Sequence, residues 1–141
     1  ASEQVMHVIA RLAPVRVVKP VAVMFIRPER YTHEFIESQD CVNLVFLGQS
    51  EKARQAYAFC GAKSGRDHDK ARECGLTPCI TENGSVTFEE ARLTLECRKI
   101  YKTRIRPEEM TDKTIEQWYG GAKGGLHDVY VMEITSVSVA E

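Results

Sequence analysis

The sequence lacks the features that mark several large classes of protein. No apolar run approaches the roughly 18 residues that a membrane-spanning helix needs. The start carries no basic segment followed by an apolar block, so a secretory signal is not expected. The formal net charge of −1 leaves no basic excess of the kind that attracts nucleic acid or anionic lipid. We therefore expect a cytoplasmic protein with neither a membrane nor a nucleic acid among its partners.

Motifs of catalysis and metal binding are also scarce. The five cysteines form no CxxC pair, so the spacing of a zinc site is missing and we expect free thiols. No Ser-His-Asp or Cys-His set can be defended, and no G-x-G-x-x-G follows the first strand, which argues against a Rossmann fold. We therefore assign neither a catalytic residue nor a metal ligand. Any redox chemistry would come from a cofactor.

The apolar periodicity predicts strands joined by helical connections within a single domain over 1–141. The segment 4–10 fits either a helix or a buried strand. The other expected elements are a central strand over 21–27, strands over 41–47, 92–102 and 127–139, helices over 30–38 and 107–119, and a flexible glycine loop over 120–125. Because strands dominate without regular βαβ alternation, the pattern favours a mainly β fold, an antiparallel barrel with inserted helices.

Two more helices are predicted from their caps. Ser50 is expected to cap a helix that continues through Phe59, with Gly61 as its stop. Asp67 is expected to cap a short helix that ends at Gly75.

A first polar-basic stretch joins the strand over 21–27 to the helix that follows. It contains Arg27, Arg30, Tyr31 and Thr32. A helix start presents free backbone N–H groups and the positive end of the helix dipole, and guanidinium groups bind phosphate oxygens in pairs. The stretch therefore fits an anion site. It fits equally well a helix that Thr32 caps, with the arginines exposed to water.

A second stretch of the same kind lies about thirty residues further along. It runs Lys63-Ser64-Gly65-Arg66-Asp67. Gly65 permits close backbone approach, while Ser64 and the N–H groups after it could donate to phosphate oxygens, as in an anion-binding nest. The alternative is a loop that ends in an Asp67 cap. The ending is not that of a P-loop, since GK[ST] is missing.

His127 and the neighbouring aromatic pair form a weaker signal. A histidine beside flexible backbone could contact a ligand or relay a proton, although it could equally be an ordinary surface residue. Trp118-Tyr119 could cover a flat aromatic ligand or act as a packing anchor.

Four segments, in order and in spacing, resemble the flavin reductase-like, FMN-binding split-barrel family. The segment 26–36 resembles the family's VRPxRYTxEFI signature, and 59–70 resembles its CGxxSGRDxDKF stretch. The segment 95–102 is similar to the LECKVIYK strand, and 127–134 to the closing HxxYxGEI. Among the members of that family, the flavoredoxin-like proteins resemble this chain most.

The resemblance implies a Greek-key split β-barrel that forms a homodimer and binds FMN near the dimer interface. It also implies NAD(P)H-dependent flavin reduction or flavoredoxin-type electron transfer, with NAD(P)H as electron donor and a redox protein as a further possible partner. His127 would bind the substrate, near the isoalloxazine ring or the nicotinamide. The residues implied for the cofactor are Arg27, Arg30, Tyr31, Thr32, Lys63, Ser64, Gly65, Arg66 and Asp67.

One departure from the family keeps a second function open. The family carries an Asn-Thr-Met-Thr-x-Ser-Trp-Gly type segment, which lines the flavin ring, and nothing like it lies between Ala10 and Val15. The alternative is therefore a non-enzymatic dimeric split-barrel module that has lost its flavin. A heme- or pyridoxamine-phosphate-binding relative on the same barrel is a third, less favoured option.

Overall fold

The computed structural model describes residues 19–120 and 124–141, and strands dominate it. Its strands and α-helices, in chain order, are β1 (Val21–Ile26), α1 (Tyr31–Ser38), β2 (Cys41–Phe46), α2 (Glu51–Ala62), α3 (Lys70–Glu73), β3 (Pro78–Ile80), β4 (Val86–Phe88), β5 (Leu93–Arg104) and β6 (Asp128–Val139). Two short 3₁₀ helices, Pro107–Glu109 and Lys113–Trp118, lie between β5 and β6. The prediction of a mainly β chain with inserted helices is confirmed.

The four longer strands form one antiparallel sheet in the order β1-β6-β5-β2, and β3 pairs with β4 as a separate hairpin. The sheet curls into a half barrel. Two irregularities in the β5–β6 ladder, at Glu96/Cys97 and Lys99/Tyr101, interrupt the register of these 12-residue strands. Such bulges bend a strand and increase its twist, which suits a sheet that curls.

The core is formed by one face of this sheet together with Ile36 of α1. It follows the alternation of the strands, because successive side chains point to opposite faces. On β6 Tyr130 and Met132, which lie on one face of that strand, are fully buried. Cys97 of β5 also has no exposed surface. The buried cluster consists of Ala22, Met24, Ile36, Leu44, Leu95, Cys97, Tyr130 and Met132.

Four predictions about the helices and strands are wrong: two concern helix ends, one the type of helix, and one the position of a strand in the sheet. Gly61 does not end α2, which continues to Ala62. Asp67 does not cap α3, because Asp69 accepts the hydrogen bond from the Arg72 backbone N–H at 3.1 Å. Residues 107–119 form 3₁₀ turns rather than one helix. Within the described residues, β1 lies at an end of the sheet, not in its centre.

Some predictions concern residues outside the described ranges. They are the ambiguous segment 4–10, the region between Ala10 and Val15 where the family's ring-lining segment is missing, and the middle of the glycine loop over 120–125. Among the described residues, no helix has the length and apolar character needed to cross a membrane.

Ser50 caps α2 as the sequence predicts, since its side-chain oxygen accepts the Ala53 N–H at 3.1 Å. We expect Ser50→Ala to lower the free energy of unfolding by about 1 kcal/mol, because the N–H loses its acceptor. Urea unfolding followed by circular dichroism measures this. Ser38→Ala is the matched control: its hydroxyl donates to the Phe35 carbonyl in the exposed last turn of α1, and its loss should matter less. Equal unfolding curves for S50A and wild type would contradict the role of the cap.

Candidate functional site

The two polar-basic stretches meet in one cleft. It lies between the turn from β1 to α1 and the loop from α2 to α3, and its volume is about 590 Å³. Pockets of a few hundred to a thousand Å³ hold small-molecule ligands and cofactors. Seven of the predicted residues line it: Arg30, Tyr31, Thr32, Lys63, Ser64, Gly65 and Arg66. The other lining residues are Glu29, Phe35, Ala62, His68, Asp69 and Lys70.

The start of α1 opens into this cleft without a side-chain cap. Arg30 occupies the N-cap position in an extended conformation, and its side chain makes no capping hydrogen bond. The alternative that Thr32 caps this helix is therefore wrong. Because the first N–H groups of a helix have no intrahelical acceptors, they remain able to donate to an anion.

The second loop is organised differently from the predicted nest. Ser64 accepts three hydrogen bonds from residues after it: the N–H of Arg66 reaches its hydroxyl at 3.2 Å, and those of Asp67 and His68 reach its carbonyl oxygen, each at 3.2 Å. In this conformation these three N–H groups donate within the turn, so they do not point to a phosphate as a nest would. The Ser64 hydroxyl can still donate its own proton.

Gly65 brings this loop against α1. A Cβ atom at this position would lie 3.0 Å from Cδ1 of Tyr31, closer than side chains normally approach. The guanidinium carbon of Arg66 lies 4.9 Å from the centre of the same ring, a cation–π contact. Tyr31 also meets the edge of Phe35 at 4.7 Å between ring centres. Because Gly65 has no side chain, the loop can pack directly against the Tyr31 ring at this wall of the cleft.

The cations of the cleft divide into two groups. Arg66 pairs with the Glu34 carboxylate, and Lys70 donates to the Cys60 carbonyl at 2.7 Å. The side chains of Arg30 and Lys63 make no hydrogen bond or ion pair within residues 19–120 and 124–141. Their charges are thus available to a ligand, which makes them the strongest candidates for anion contacts.

Three predicted site residues lie outside the cleft lining. Asp67 is exposed in the turn. Arg27 packs over the Tyr119 ring at 4.9 Å, and the Tyr119 hydroxyl lies 3.3 Å from Nδ1 of His127. Burial lowers the pKa of His127, with Arg27 contributing in the same direction. Arg27, Tyr119 and His127 therefore form a second cluster, named here the His127 cluster, in which the imidazole is favoured in its neutral form near pH 7.

Two further cleft residues, Lys70 and Glu29, could have been predicted from their positions in the sequence. Lys70 lies three residues after the second basic stretch, and Glu29 lies between Arg27 and Arg30 in the first. The Glu29 carboxylate accepts a hydrogen bond from the Gly125 backbone N–H, which lowers its pKa. A lone acid within a basic stretch could have been recognised as a residue with a separate role.

A charge network centred on one buried carboxylate joins α1 to β5 and β6, next to His127 in sequence. Asp128 is fully buried and accepts hydrogen bonds from Arg104, at 2.5 and 3.0 Å, and lies 2.7 Å from Nε2 of His33. The bond from Arg104 holds the pKa of Asp128 well below its usual range. Lys102 pairs with Glu37 at 2.8 Å and lies 3.7 Å from Asp128.

This network could be mistaken for a metal site. The ligand atoms of His33, Glu37 and Asp128 lie within 4.8 Å of one another. The two carboxylates already face the cations of Lys102 and Arg104. A metal ion would have to displace these partners or lie beside them, so the network is better described as structural.

Comparison with known proteins identifies relatives of this fold. Residues 12–141 match the family model described as flavin reductase like domain. No curated protein matches the chain. Solved structures do: flavoredoxin of Desulfovibrio vulgaris (Miyazaki F) is 20% identical with a TM-score of 0.64, over 86% of this chain and 54% of that one.

Two further structures extend the comparison. An FMN-binding protein from Thermus thermophilus is 18% identical, with a TM-score of 0.66 over 92% of this chain and 60% of that one. An NADH:FAD oxidoreductase from Streptomyces globisporus C-1027 is 14% identical, with a TM-score of 0.60 over 89% of this chain and 62% of that one. The chain thus spans little more than half the length of these proteins. At such identities the likeness shows the fold, and the prediction of a split barrel is confirmed.

Proposed function

The chain belongs to the flavin reductase-like domain family, and on that premise we propose that it binds FMN and serves in flavin-dependent oxidoreduction. The cofactor residues are the seven predicted residues that line the cleft, with Arg30, Lys63, Thr32 and Ser64 in contact with the phosphate. The flavin supplies the capacity to accept and pass on a hydride or single electrons. The chain supplies binding, orientation and charge.

The observation that carries this proposal is a pair of free cations in one cleft, Arg30 at the uncapped start of α1 and Lys63 at the end of α2. A phosphate monoester has a charge of about −1.5 to −2 near pH 7, which Arg30 and Lys63 together can balance. The N–H groups at the start of α1 add donors, and the hydroxyls of Thr32 and Ser64 add two more. The residues present therefore fit a phosphate.

FMN is favoured over FAD because these groups converge on one place. A phosphate monoester carries both of its charges on one phosphorus, whereas the charges of FAD are spread over a diphosphate inside a longer molecule. A compact site with two free cations suits the monoester. Tyr31 and Phe35 provide the apolar part of the cleft wall.

His127 is proposed as the residue nearest the electron donor. The His127 cluster presents a ring with lowered pKa and an aromatic partner, Tyr119, whose ring meets it edge-on at 5.8 Å between centres. A neutral imidazole can donate one hydrogen bond and accept another, which suits a nicotinamide amide group. NAD(P)H oxidation by this protein, or electron transfer to a redox protein, is proposed on this basis.

A homodimer is proposed from the exposed apolar residues at the C-terminal end of β6. Val137 and Val139 share one face of that strand, and both are exposed, Val139 at 70% of its surface. Adjacent apolar residues on a sheet surface are typical of a partner-binding face. Sedimentation at several protein concentrations measures this, and a monomer throughout would contradict it.

The test of the proposed function compares three ligands. We expect the purified protein to retain FMN absorbance after desalting, and to bind riboflavin, which lacks the phosphate, roughly 10- to 100-fold more weakly. FAD is expected to bind more weakly than FMN. Anaerobic mixing of the FMN-loaded protein with NADH or NADPH then separates a reductase from an electron carrier.

The opposite outcomes are equally informative. Equal affinity for FMN and riboflavin would contradict the phosphate site. No flavin binding at high protein concentration would favour the non-enzymatic dimeric module, for which the missing ring-lining segment between Ala10 and Val15 is the sequence argument.

A further inference from the structure

Glu29 is an acid in a basic cleft, and its carboxylate is not directed at a cation. It accepts the Gly125 backbone N–H instead. Both glycines lie close to the Glu29 carboxylate. A Cβ atom at Gly124 would lie 3.0 Å from Oε2 of Glu29, and one at Gly125 would lie 3.0 Å from Oε1. Glycine at both positions allows the backbone to approach the carboxylate this closely.

The backbone of the same residue faces the other side of the cleft. Nη1 of Arg66 lies 3.4 Å from the Glu29 carbonyl oxygen, a long hydrogen bond, and Glu29 itself lines the cleft. Glu29 therefore contacts the loop from α2 to α3 through its main chain and the Gly124–Gly125 segment through its side chain.

The Gly124–Gly125 segment leads directly to His127. The His127 carbonyl accepts the Ile105 N–H at 3.0 Å, and its ring contacts the Tyr119 hydroxyl. These two contacts hold the carbonyl group and the ring of His127 in place. The contact of Gly125 with Glu29 fixes the chain two residues before it. The charged groups that act on His127 are Arg27, Arg30 and Glu29, and only Glu29 raises its pKa.

We propose that Glu29 is a positioning residue, which ties the anion cleft to His127 by holding Gly125 with its carboxylate. Glu29 lies between Arg27 and Arg30 in the chain, so its contact with Gly125 is next to the proposed phosphate site. The effect on electron-donor binding rests on the proposed function; the link between Glu29, Gly125 and His127 does not.

Hydrogen exchange at the Gly125 amide and NMR titration of the His127 ring test this link without any flavin. In Glu29→Ala the amide loses its acceptor, and we expect its exchange to accelerate roughly tenfold or more. In Glu29→Gln the side-chain oxygen can still accept, so protection should be largely retained. The pKa of His127 should fall in both variants, because both remove the charge that raises it.

Glu34→Ala is the matched control. Glu34 is also an exposed glutamate near the cleft, but it pairs with Arg66 and not with the glycine segment. Gly125 exchange and the His127 titration should be unchanged in this variant. The proposal is overturned if E29A exchanges Gly125 at the wild-type rate, or if E34A accelerates it equally.

Kinetics provide the functional arm. In the FMN-loaded protein we expect E29A to raise KM for the nicotinamide donor roughly threefold to tenfold, with FMN affinity changed less than twofold, and E29Q to restore most of the loss. A loss of FMN affinity that matches the KM change would instead show that Glu29 acts on the cofactor directly, and would overturn the link. If the wild-type protein oxidises no donor, the proposed function fails, while the exchange and titration results still decide the role of Glu29.

Discussion

Asp128→Asn is expected to lower the free energy of unfolding by about 2–4 kcal/mol at pH 7. The carboxylate is fully buried and accepts two hydrogen bonds from Arg104, with His33 as a further partner. Breaking a buried pair costs about 3–5 kcal/mol. The expected value is lower because the Arg104 side chain is 57% exposed and regains water.

The difference in free energy of unfolding between wild type and D128N should become smaller at low pH. The folded state holds the pKa of Asp128 below its usual range, so the unfolded chain binds the proton more readily. The stabilisation is complete above the unfolded pKa of about 4 and disappears as the pH falls below it. The gap between wild type and D128N should therefore narrow below about pH 4.

Urea unfolding of both proteins at pH 7 and at lower pH measures this gap. Glu109→Gln is the control, because Glu109 forms an ion pair with Arg106 in which both side chains are more than 60% exposed. Its loss should cost less than about 0.5 kcal/mol. A gap that stays constant with pH would show that Asp128 stabilises the fold by packing rather than by charge.

Arg30→Ala is expected to weaken FMN binding roughly 10- to 100-fold, because a hydrogen bond to a charged group is worth about 1.5–3 kcal/mol. The side chain has no ion-pair partner among the described residues, so its removal should not disturb the fold. Fluorescence titration with FMN measures the affinity, and the weakening should diminish at high salt.

Arg54→Ala is the matched control for Arg30. Arg54 is exposed on α2 and pairs with Glu51 at 3.3 Å, away from the cleft. Arg104 would be a poor control because it holds Asp128, and its removal would test stability instead. Equal FMN affinity for R30A and R54A would remove the phosphate assignment of Arg30.

The sequence predicted the strands more accurately than the helix caps, and the reason is physical. Alternation along a strand places every second residue in the core, so Tyr130 and Met132 could be assigned to one buried face. A helix N-cap depends on which of several nearby acids has its carboxylate directed at the free N–H groups of the first turn. Asp67 and Asp69 are both plausible caps in sequence, and only the tight turn around Ser64 decides for Asp69.

The cleft was predicted from two stretches whose proximity no local pattern could show. The basic residues were recognisable, because phosphate binding needs such side chains. Glu29 and the contact of Arg27 with Tyr119 depend on long-range folding. Asp128 could have been found from its phase, since it occupies the same inward-facing register as Tyr130 and Met132. An acid in phase with core residues indicates a buried partner.

The distribution of burial also bears on how this protein could be adapted. The residues around the cleft are exposed or half-buried, whereas Asp128, at the centre of the charge network on β6, lies outside the cleft and is fully buried. Substitutions at Thr32 or Lys63 could thus change which phosphorylated compound is accepted while leaving the barrel intact. His127 and Asp128 are the exception: His127 contacts Tyr119 and comes directly before β6, and the buried Asp128 is the first residue of that strand, so a change at one residue risks displacing the other. Selection for a new ligand should therefore accumulate changes on the cleft loops and spare this dipeptide.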